Sequence, residues 1–307
     1  MQVVHEPGEL RTRGQKVCAA IGFFDGIHLG HREILNRTMA DARAMEGVAL
    51  AVTFDRHPYV VVAPDRVPPL IYSLPQKLRV LEALGLDATL LIHFDRAFSE
   101  QSGETFIRGL AQGFGPLHSL SVGANFTFGH KRSGDVALLR KLGLELGFAV
   151  RGVEAVLFEG ETISSTRVRE SIRAGRLEDA SRLLGRPYSF ASRVVTGDRL
   201  GRRMGIPTAN LDPDGLALPP TGVYAVEALW RGQVHPAVLN IGFRPTLGQS
   251  NPPLRVEAHL LDFSTDLHGE ELEIVLRARL RDEIKFGSVE ELRAQISKDI
   301  EQARQEL

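Results

Sequence analysis

"KVCAAIGFFDGIHLGHREILNRTMADARAM", residues 16–45, is the stretch whose reading decides the fold. Residues 16–21 are an apolar run. Residues 22–31, "GFFDGIHLGH", then pack three glycines, two histidines and an aspartate into ten positions. Residues 32–45 return apolar side chains at helical spacing. A strand passed through a glycine-rich turn into a helix is the opening of a β-α unit. Working outward, the alternation continues through residue 185. Candidate strands are 17–21, 48–54, 88–93, 119–123 and 149–153, with helices at 31–46, 74–84, 103–112 and 134–146. This order predicts a parallel sheet with helices on both faces, whose ligands bind beyond the carboxyl ends of the strands. The glycine-rich turn lies just there, after the first strand.

Near Gly185-Arg186-Pro187 the pattern changes. Two short helical segments, 166–174 and 177–184, precede it. Short alternating strands follow at 190–196, 223–230, 234–241, 255–261 and 272–280, parted by "DPDG", "LPPTG" and "GQSNPP". These predict a compact antiparallel barrel. A last amphipathic helix, 289–302, follows Ser288 as N-cap, with Glu291 three residues on. The expected division is 1–185 and 186–307.

The 307 residues suit two domains, and 43% hydrophobic with 24% charged residues is ordinary for a globular chain. With 37 basic and 38 acidic residues the net charge is −1, which gives no field for nucleic acid or an anionic membrane. One cysteine, Cys18, sits mid-strand; it excludes a disulfide framework and reads as a core residue in a reducing compartment. "MQVVHEPGELRTRGQ" lacks the apolar centre of a signal peptide, and no run approaches about 18 apolar residues. A cytoplasmic protein is expected. Nothing in the sequence decides against self-association.

His28 and His31 stand three residues apart at the helix start and can share a face. A metal reading lacks a third ligand at a familiar spacing. Glycines at 22, 26 and 30 admit close backbone approach, and a helix amino end with imidazole donors suits phosphate oxygens. Plain helix capping fits as well. "TISSTRVRESI", residues 162–172, places Ser164, Ser165 and Thr166 at another helix start, with Arg167 and Arg169 just inside. Arginines oppose the dipole there and suggest an anionic ligand, although an ordinary cap fits too.

In order, H-L-G-H at 28–31 and I-S-S-T-R-V-R at 163–169 resemble the nucleotidyltransferase superfamily. That resemblance implies a Rossmann-like α/β domain, ATP bound at the sheet edge and attack on its α-phosphate, with pyrophosphate released. His28 and His31 would be catalytic, stabilising phosphate charge. Gly22, Phe24, Asp25 and Gly30 would bind ATP, together with Asn125, Ser164, Ser165, Thr166 and Arg169. "GANFTFGHKRSGD", residues 123–135, is similar to a segment of bacterial flavin adenylyltransferase modules. Phe126 and Phe128 would lie against flavin; read plainly, they are a half-buried strand extension.

"TGDRLGRRMGIPTANL", residues 196–211, spaces Gly197, Gly201 and Gly205 four apart before Pro207-Thr208-Ala209-Asn210. Such a loop can wrap phosphates, and Thr208 and Asn210 offer neutral oxygens of the kind that hold Mg²⁺ with substrate phosphates. Farther on come "GVYAVEA", "NIGFRPTLG", "RVEAHLLDFSTDLHGEEL" and "LRDEIKFGSVEELRAQI". The ordered set resembles the riboflavin kinase module that follows the adenylyltransferase in bacterial bifunctional FAD synthetases. The resemblance covers Gly22 to Arg304. It implies that Gly197, Gly201, Gly205 and Pro207 bind ATP, that Thr208 and Asn210 bind Mg²⁺–ATP, and that Glu257 is the general base for the ribityl 5′-hydroxyl. Arg281 and Phe286 would belong to a flavin-side lid. Taken alone, Glu257 is one strand carboxylate, and Arg281 with Phe286 a charged approach to a helix. The implied substrates and products are riboflavin, FMN, FAD and ATP.

The chain departs from the family at "FDRHP", residues 54–58, where Arg56 replaces a proline and Tyr59 follows. Ser192 stands for a glycine usual just before the first kinase strand, and His268 for a tyrosine. Readings held beside bifunctionality are a riboflavin kinase with a degenerate first module, a flavin-sensing regulator, and a nucleotidyltransferase for another phosphate acceptor.

Overall fold

The structure, a computed structural model, describes residues 1–12, 14–197, 205–213, 215–243 and 254–307. The chain forms two compact units, residues 1–70 with 74–165, and residues 71–73 with 166–307.

The first unit is built on β1 (Gln2–Val4), β2 (Val17–Ile21), β3 (Val48–Phe54), β4 (Ala88–Ile92), β5 (Leu117–Gly123) and β6 (Ala149–Val153). They form one sheet in the order β1-β4-β3-β2-β5-β6, with every pair parallel. The helices are α1 (Leu29–Ala44), α2 (Tyr59–Val62), α3 (Leu74–Ala83), α4 (Arg96–Ser99), α5 (Gly103–Phe114) and α6 (Val136–Leu146). A short ribbon of β7 (Leu157–Phe158) and β8 (Glu161–Thr162) follows. The period-2 alternation of β2 shows why it reads as continuously apolar. Val17, Ala19 and Ile21 join Phe106, Ile107 and Leu110 of α5 and Leu139 and Leu142 of α6. Cys18 and Ala20 join Leu35, Met39 and Ala42 of α1 and Leu81 of α3 on the other face. Both faces are covered, as parallel sheets require.

Three expected strands occur at the expected bounds, and two others differ only at an end. Strand β1 was not anticipated. With three residues it carries no periodicity, and only its pairing with β4 defines it. The strand order matters for function. From β2 the chain runs outward through β3 to β4, then returns to β5 on the opposite side of β2. The switch point is therefore between the carboxyl ends of β2 and β5, where such sheets open a crevice.

In the second unit α7 (Ser165–Arg173) and α8 (Leu177–Leu184) lead into a barrel. Its strands are β9 (Ser189–Val195), β10 (Ala209–Asp212), β11 (Gly222–Trp230), β12 (Gln233–Phe243), β13 (Leu254–Leu260) and β14 (Glu271–Arg281). The order β10-β13-β12-β11-β14-β9 closes through antiparallel β9 and β10, so no strand edge is left open. Trp230 pairs with Gln233 across Arg231 and Gly232, whose φ values of 48° and 79° make the tight hairpin turn. The last helix, α9 (Val289–Glu306), buries Ala303 with Val223, Ala225, Val238 and Leu261 of the barrel. Ser288 Oγ accepts the Glu291 N–H at 3.1 Å, as its cap position predicts. Ser192 falls within the strand expected at 190–196. It lies inside β9 with its hydroxyl bonded to the Asp212 carbonyl, joining β9 to β10.

Candidate active sites

The first site begins where β2 ends. Gly22 N–H donates to the Val52 carbonyl at 3.1 Å, keeping the chain in register with β3 for one more step. The backbone then turns left-handed at Phe24 (φ 54°), Gly26 (φ 76°) and Ile27 (φ 41°), although only one of these is glycine. Such positions cost on the order of 1–3 kcal/mol each for other residues and cluster where function demands a shape. Phe24, Asp25, Gly26 and Ile27 are all buried.

The loop delivers His28 as N-cap of α1, its Nδ1 accepting the His31 N–H at 3.3 Å. An accepted bond at Nδ1 puts the neutral ring's proton on Nε2. The two imidazoles stack with centroids 3.7 Å apart and planes at 17°, and the Phe24 ring stands edge-on to His31 at 5.3 Å. Gly30 is bare because an added Cβ would crowd the His28 ring at 3.2 Å. The cap bond at Nδ1 gives His28 a structural role at the head of α1.

Ser165 Oγ donates to the Asp25 carbonyl at 3.0 Å, joining motifs 140 residues apart. Ser164 precedes it, half-buried. Thr166 and Arg169 continue along α7 within the second unit, Thr166 exposed and Arg169 buried. Asn125 is exposed on the turn after β5, the other strand at the switch point. Phe126 and Phe128 stack at 5.3 Å and 15°, half-buried against the sheet core. Phe128 also pairs with Gly134 through two backbone bonds of 2.9 and 3.0 Å. Both rings are built into the fold from one side.

Two features of this edge were not read from the sequence. Asp55, just past β3, accepts from Arg56 at 3.1 Å, from the Phe94 N–H at 3.0 Å and bonds His93 Nδ1 at 2.7 Å. Burial alone would raise its pKa; Arg56 first, then the Phe94 N–H and His93, hold it down at about 2. Lys77 of α3 is buried, its ammonium bonded to Phe23 O, Thr53 Oγ1 and Phe54 O. Burial lowers its pKa to about 8 against the opposing pull of Asp25 and Asp55. The one available signal was a lysine four residues before Leu81, on the helix face that packs inward.

The second site is a cleft of about 430 Å³ in the barrel unit that gathers Gly197, Pro207, Thr208 and Asn210 with residues 263–268. Gly197 lies so close to the Asn210 amide that a Cβ would overlap it. Gly205 takes a left-handed φ of 78°, and Gly201 lies outside the described residues. The register is informative: Asn210 pairs with Glu257 across β10–β13, and Glu257 with Asn240 across β13–β12. Directly opposed residues share a face, so these three polar side chains form a row on the barrel wall. Glu257 is half-buried, with Arg255 Nη1 at 3.8 Å. His259, two residues on and on the same face, holds the Pro207 carbonyl at 2.7 Å and so anchors the segment that presents Thr208. Neither Asn240 nor His259 was singled out from the sequence. His268 is exposed on the cleft wall.

Arg281 meets Asp299 through paired bonds of 2.9 and 2.7 Å, and its guanidinium lies 5.9 Å from the Phe286 ring. Among the described residues no group of three or more His, Cys, Asp or Glu side chains could hold a metal ion. The hydroxyl and amide oxygens of Thr208 and Asn210, set in a cleft, fit Mg²⁺ that arrives on a polyphosphate and keeps most of its ligands elsewhere.

A parallel sheet with a histidine-bearing loop at its switch point, joined to a closed barrel with a neutral-oxygen cleft and a carboxylate, defines a two-module nucleotide-using transferase. Residues 11–167 match the FAD synthetase family and residues 184–307 the riboflavin kinase family. The chain is 38% identical to the bifunctional riboflavin kinase/FMN adenylyltransferase of Escherichia coli strain K12, over 99% of this chain and 97% of that one. It is 37% identical to the protein of the same name from Pseudomonas fluorescens, covering 99% and 97%, and 34% to that of Bacillus subtilis strain 168, covering 99% and 96%. A solved structure titled as a macrolide-efflux protein from Streptococcus pneumoniae superposes with a TM-score of 0.82 at 28% identity, covering 98% of each chain. This chain belongs to the bifunctional riboflavin kinase/FMN adenylyltransferase family, and is a kinase and nucleotidyltransferase of flavin cofactor biosynthesis. No helix among the described residues is long and apolar enough to cross a membrane.

Proposed function

We propose that the chain phosphorylates riboflavin to FMN in its barrel unit and adenylylates FMN to FAD on its parallel sheet, using ATP for both. The bond from Ser165 Oγ to the Asp25 carbonyl carries the first half of this reading, because it brings the serine turn onto the histidine loop at the switch point. There a phosphate oxygen of FMN attacks the α-phosphorus of ATP, the bond to the β-phosphate breaks, and pyrophosphate leaves. His28 and His31 donate to oxygens whose charge grows in the transition state. Gly22, Phe24, Asp25 and Gly30 shape the ATP loop. Asn125, Ser164 and Ser165 hold the nucleotide, and Phe126 and Phe128 face the flavin.

In the barrel unit, Glu257 takes the proton of the ribityl 5′-hydroxyl as its oxygen attacks the γ-phosphorus, and ADP leaves. Its register beside Asn210 supports this role. Gly197, Gly205 and Pro207 wrap the ATP phosphates, and Arg281 and Phe286 close the flavin side. Thr208 and Asn210 would hold Mg²⁺, which neutralises phosphate charge when bound. A buried, single Cys18 fits a reducing cytoplasm as the place of action.

The test is a time course of purified protein with riboflavin, ATP and Mg²⁺, with flavins resolved by chromatography. FMN rising before FAD is expected. FMN without FAD would leave a kinase alone. Riboflavin bound but unchanged would make the chain a flavin sensor.

A further inference from the structure

We propose that Lys77 is a positioning residue for adenylyl transfer: its ammonium clamps the start of the histidine-bearing loop to the end of the neighbouring strand. The proposal rests on reading the first unit as the adenylyltransferase.

The ammonium has three N–H groups, and three oxygens receive them: Phe54 O at 2.9 Å, Thr53 Oγ1 at 3.2 Å and Phe23 O at 3.3 Å. Lys77 is 4% exposed, and with its donors engaged it works through backbone rather than by touching nucleotide. Phe23 opens the loop after β2; Thr53 and Phe54 end β3. Thr53 Oγ1 itself donates to Phe23 O at 3.0 Å, so one carbonyl is held from two directions. The ammonium also lies 4.6 Å from the centre of the Phe23 ring, a cation–π contact on the same residue.

The loop beyond Phe23 needs holding. Phe24 and Ile27 are non-glycine residues in left-handed conformations, at φ 54° and 41°. Such backbone persists only where its surroundings over-determine it. Lys77 and Thr53 fix the beginning of this loop, Ser165 Oγ its middle at Asp25 O, and the His28 cap its end. A leucine or methionine would fill the Lys77 space without desolvating a charge, which is unfavourable for a buried ammonium bonded to uncharged oxygens. The charged groups facing it, Asp25 and Asp55, oppose that penalty, and burial still lowers its pKa to about 8, so it is protonated at neutral pH. A charge kept at that penalty serves the geometry of three oxygens, which no apolar side chain can reproduce.

The experiment uses the full chain carrying Lys77→Met, Thr53→Val, or both. FAD formation from FMN and ATP is measured beside FMN formation from riboflavin. Lys77→Met is expected to lower kcat for adenylyl transfer roughly 100-fold, the scale of a misplaced catalytic group. KM for ATP stays within about threefold, the kinase rate is unchanged, and the thermal midpoint is unchanged or higher because a buried charge is gone. Thr53→Val loses less, and the double variant matches Lys77→Met, since both act through one carbonyl. Retention of adenylyl transfer by Lys77→Met, a loss confined to KM, or losses that multiply in the double variant would each overturn the clamp. Should Lys77→Met fail to fold, Thr53→Val decides: unchanged kcat overturns the proposal. No FAD from the unmodified chain would instead sink the functional reading, and with it any catalytic role for the clamp.

Discussion

His28 gives one nitrogen to the α1 cap and stacks its ring on His31, so the pair is pre-ordered before any ligand arrives. Replacing His28 would remove the cap as well as a donor, which makes His31 the cleaner probe. His31→Ala is expected to lower FAD formation from FMN by about 10²–10³, the loss typical of one donor to a developing oxyanion, while riboflavin phosphorylation continues. Equal loss of both activities in a folded variant would show that the sites are not independent. Asp55 gives a pH-dependent counterpart at the same sheet edge. Its carboxyl titrates at about 2 in the folded chain against an ordinary 3.8. A depressed carboxyl pKa contributes stability that is present above the ordinary value and lost as pH falls through the folded one. After screening at its half-exposed partners, Arg56 and His93, this amounts to about 1–2 kcal/mol. Asp55→Asn should therefore be less stable by that amount at pH 7. The difference from the unaltered chain should vanish between about pH 4 and pH 2, read by urea unfolding at each pH. A constant difference across that range would mean that the carboxylate charge is not what stabilises the edge.

At the scale of elements, the barrel carries its last helix on a charged anchor. Arg281, at the end of β14, grips the buried carboxylate of Asp299 on α9, and Gln295 donates to the same carboxylate at 2.9 Å. Removing the arginine strands a carboxylate that is 3% exposed. Arg281→Ala should destabilise the chain by about 2–4 kcal/mol, with Arg281→Lys recovering only part because it lacks the paired geometry. A loss below about 0.5 kcal/mol would show that the Arg281–Asp299 pair does not anchor the helix. Elements of this kind separate what the sequence displays from what it hides. Strands β2 and β3 were legible because a sheet buried on both faces needs unbroken apolar runs, and α1 because its inward residues recur at 3.6. Strand β1, of three residues, has no period to read and exists through its partner. The H-x-G-H and serine turns were legible as motifs, but not the hydroxyl-to-carbonyl bond that joins them. Lys77 was hidden for a physical reason: a lysine on an amphipathic helix ordinarily marks the solvent side, and only the end of β3 makes burial tolerable here.

For the whole molecule, the two chemistries are assigned to separate units that share a diffusible intermediate, FMN. Glu257→Ala should lower FMN formation from riboflavin by about 10²–10⁴, the usual contribution of a positioned general base, yet still convert supplied FMN to FAD. His31→Ala should do the converse. If each unit works alone, mixing the two variants with riboflavin, ATP and Mg²⁺ must restore FAD. One chain makes FMN, releases it, and the other adenylylates it. The mixture then shows a lag in FAD that shortens as protein concentration rises, because FMN must accumulate in solution before the second step gathers speed. The unaltered chain at the same concentration supplies the reference. An identical lag means that FMN leaves the protein between steps, and the covalent linkage of the units confers proximity without transfer. A markedly shorter lag in the unaltered chain means that FMN passes within one molecule. No FAD from the mixture, when each variant keeps its own half-reaction, would show that the units do not exchange FMN through solution, and independence would fail as a description of the enzyme.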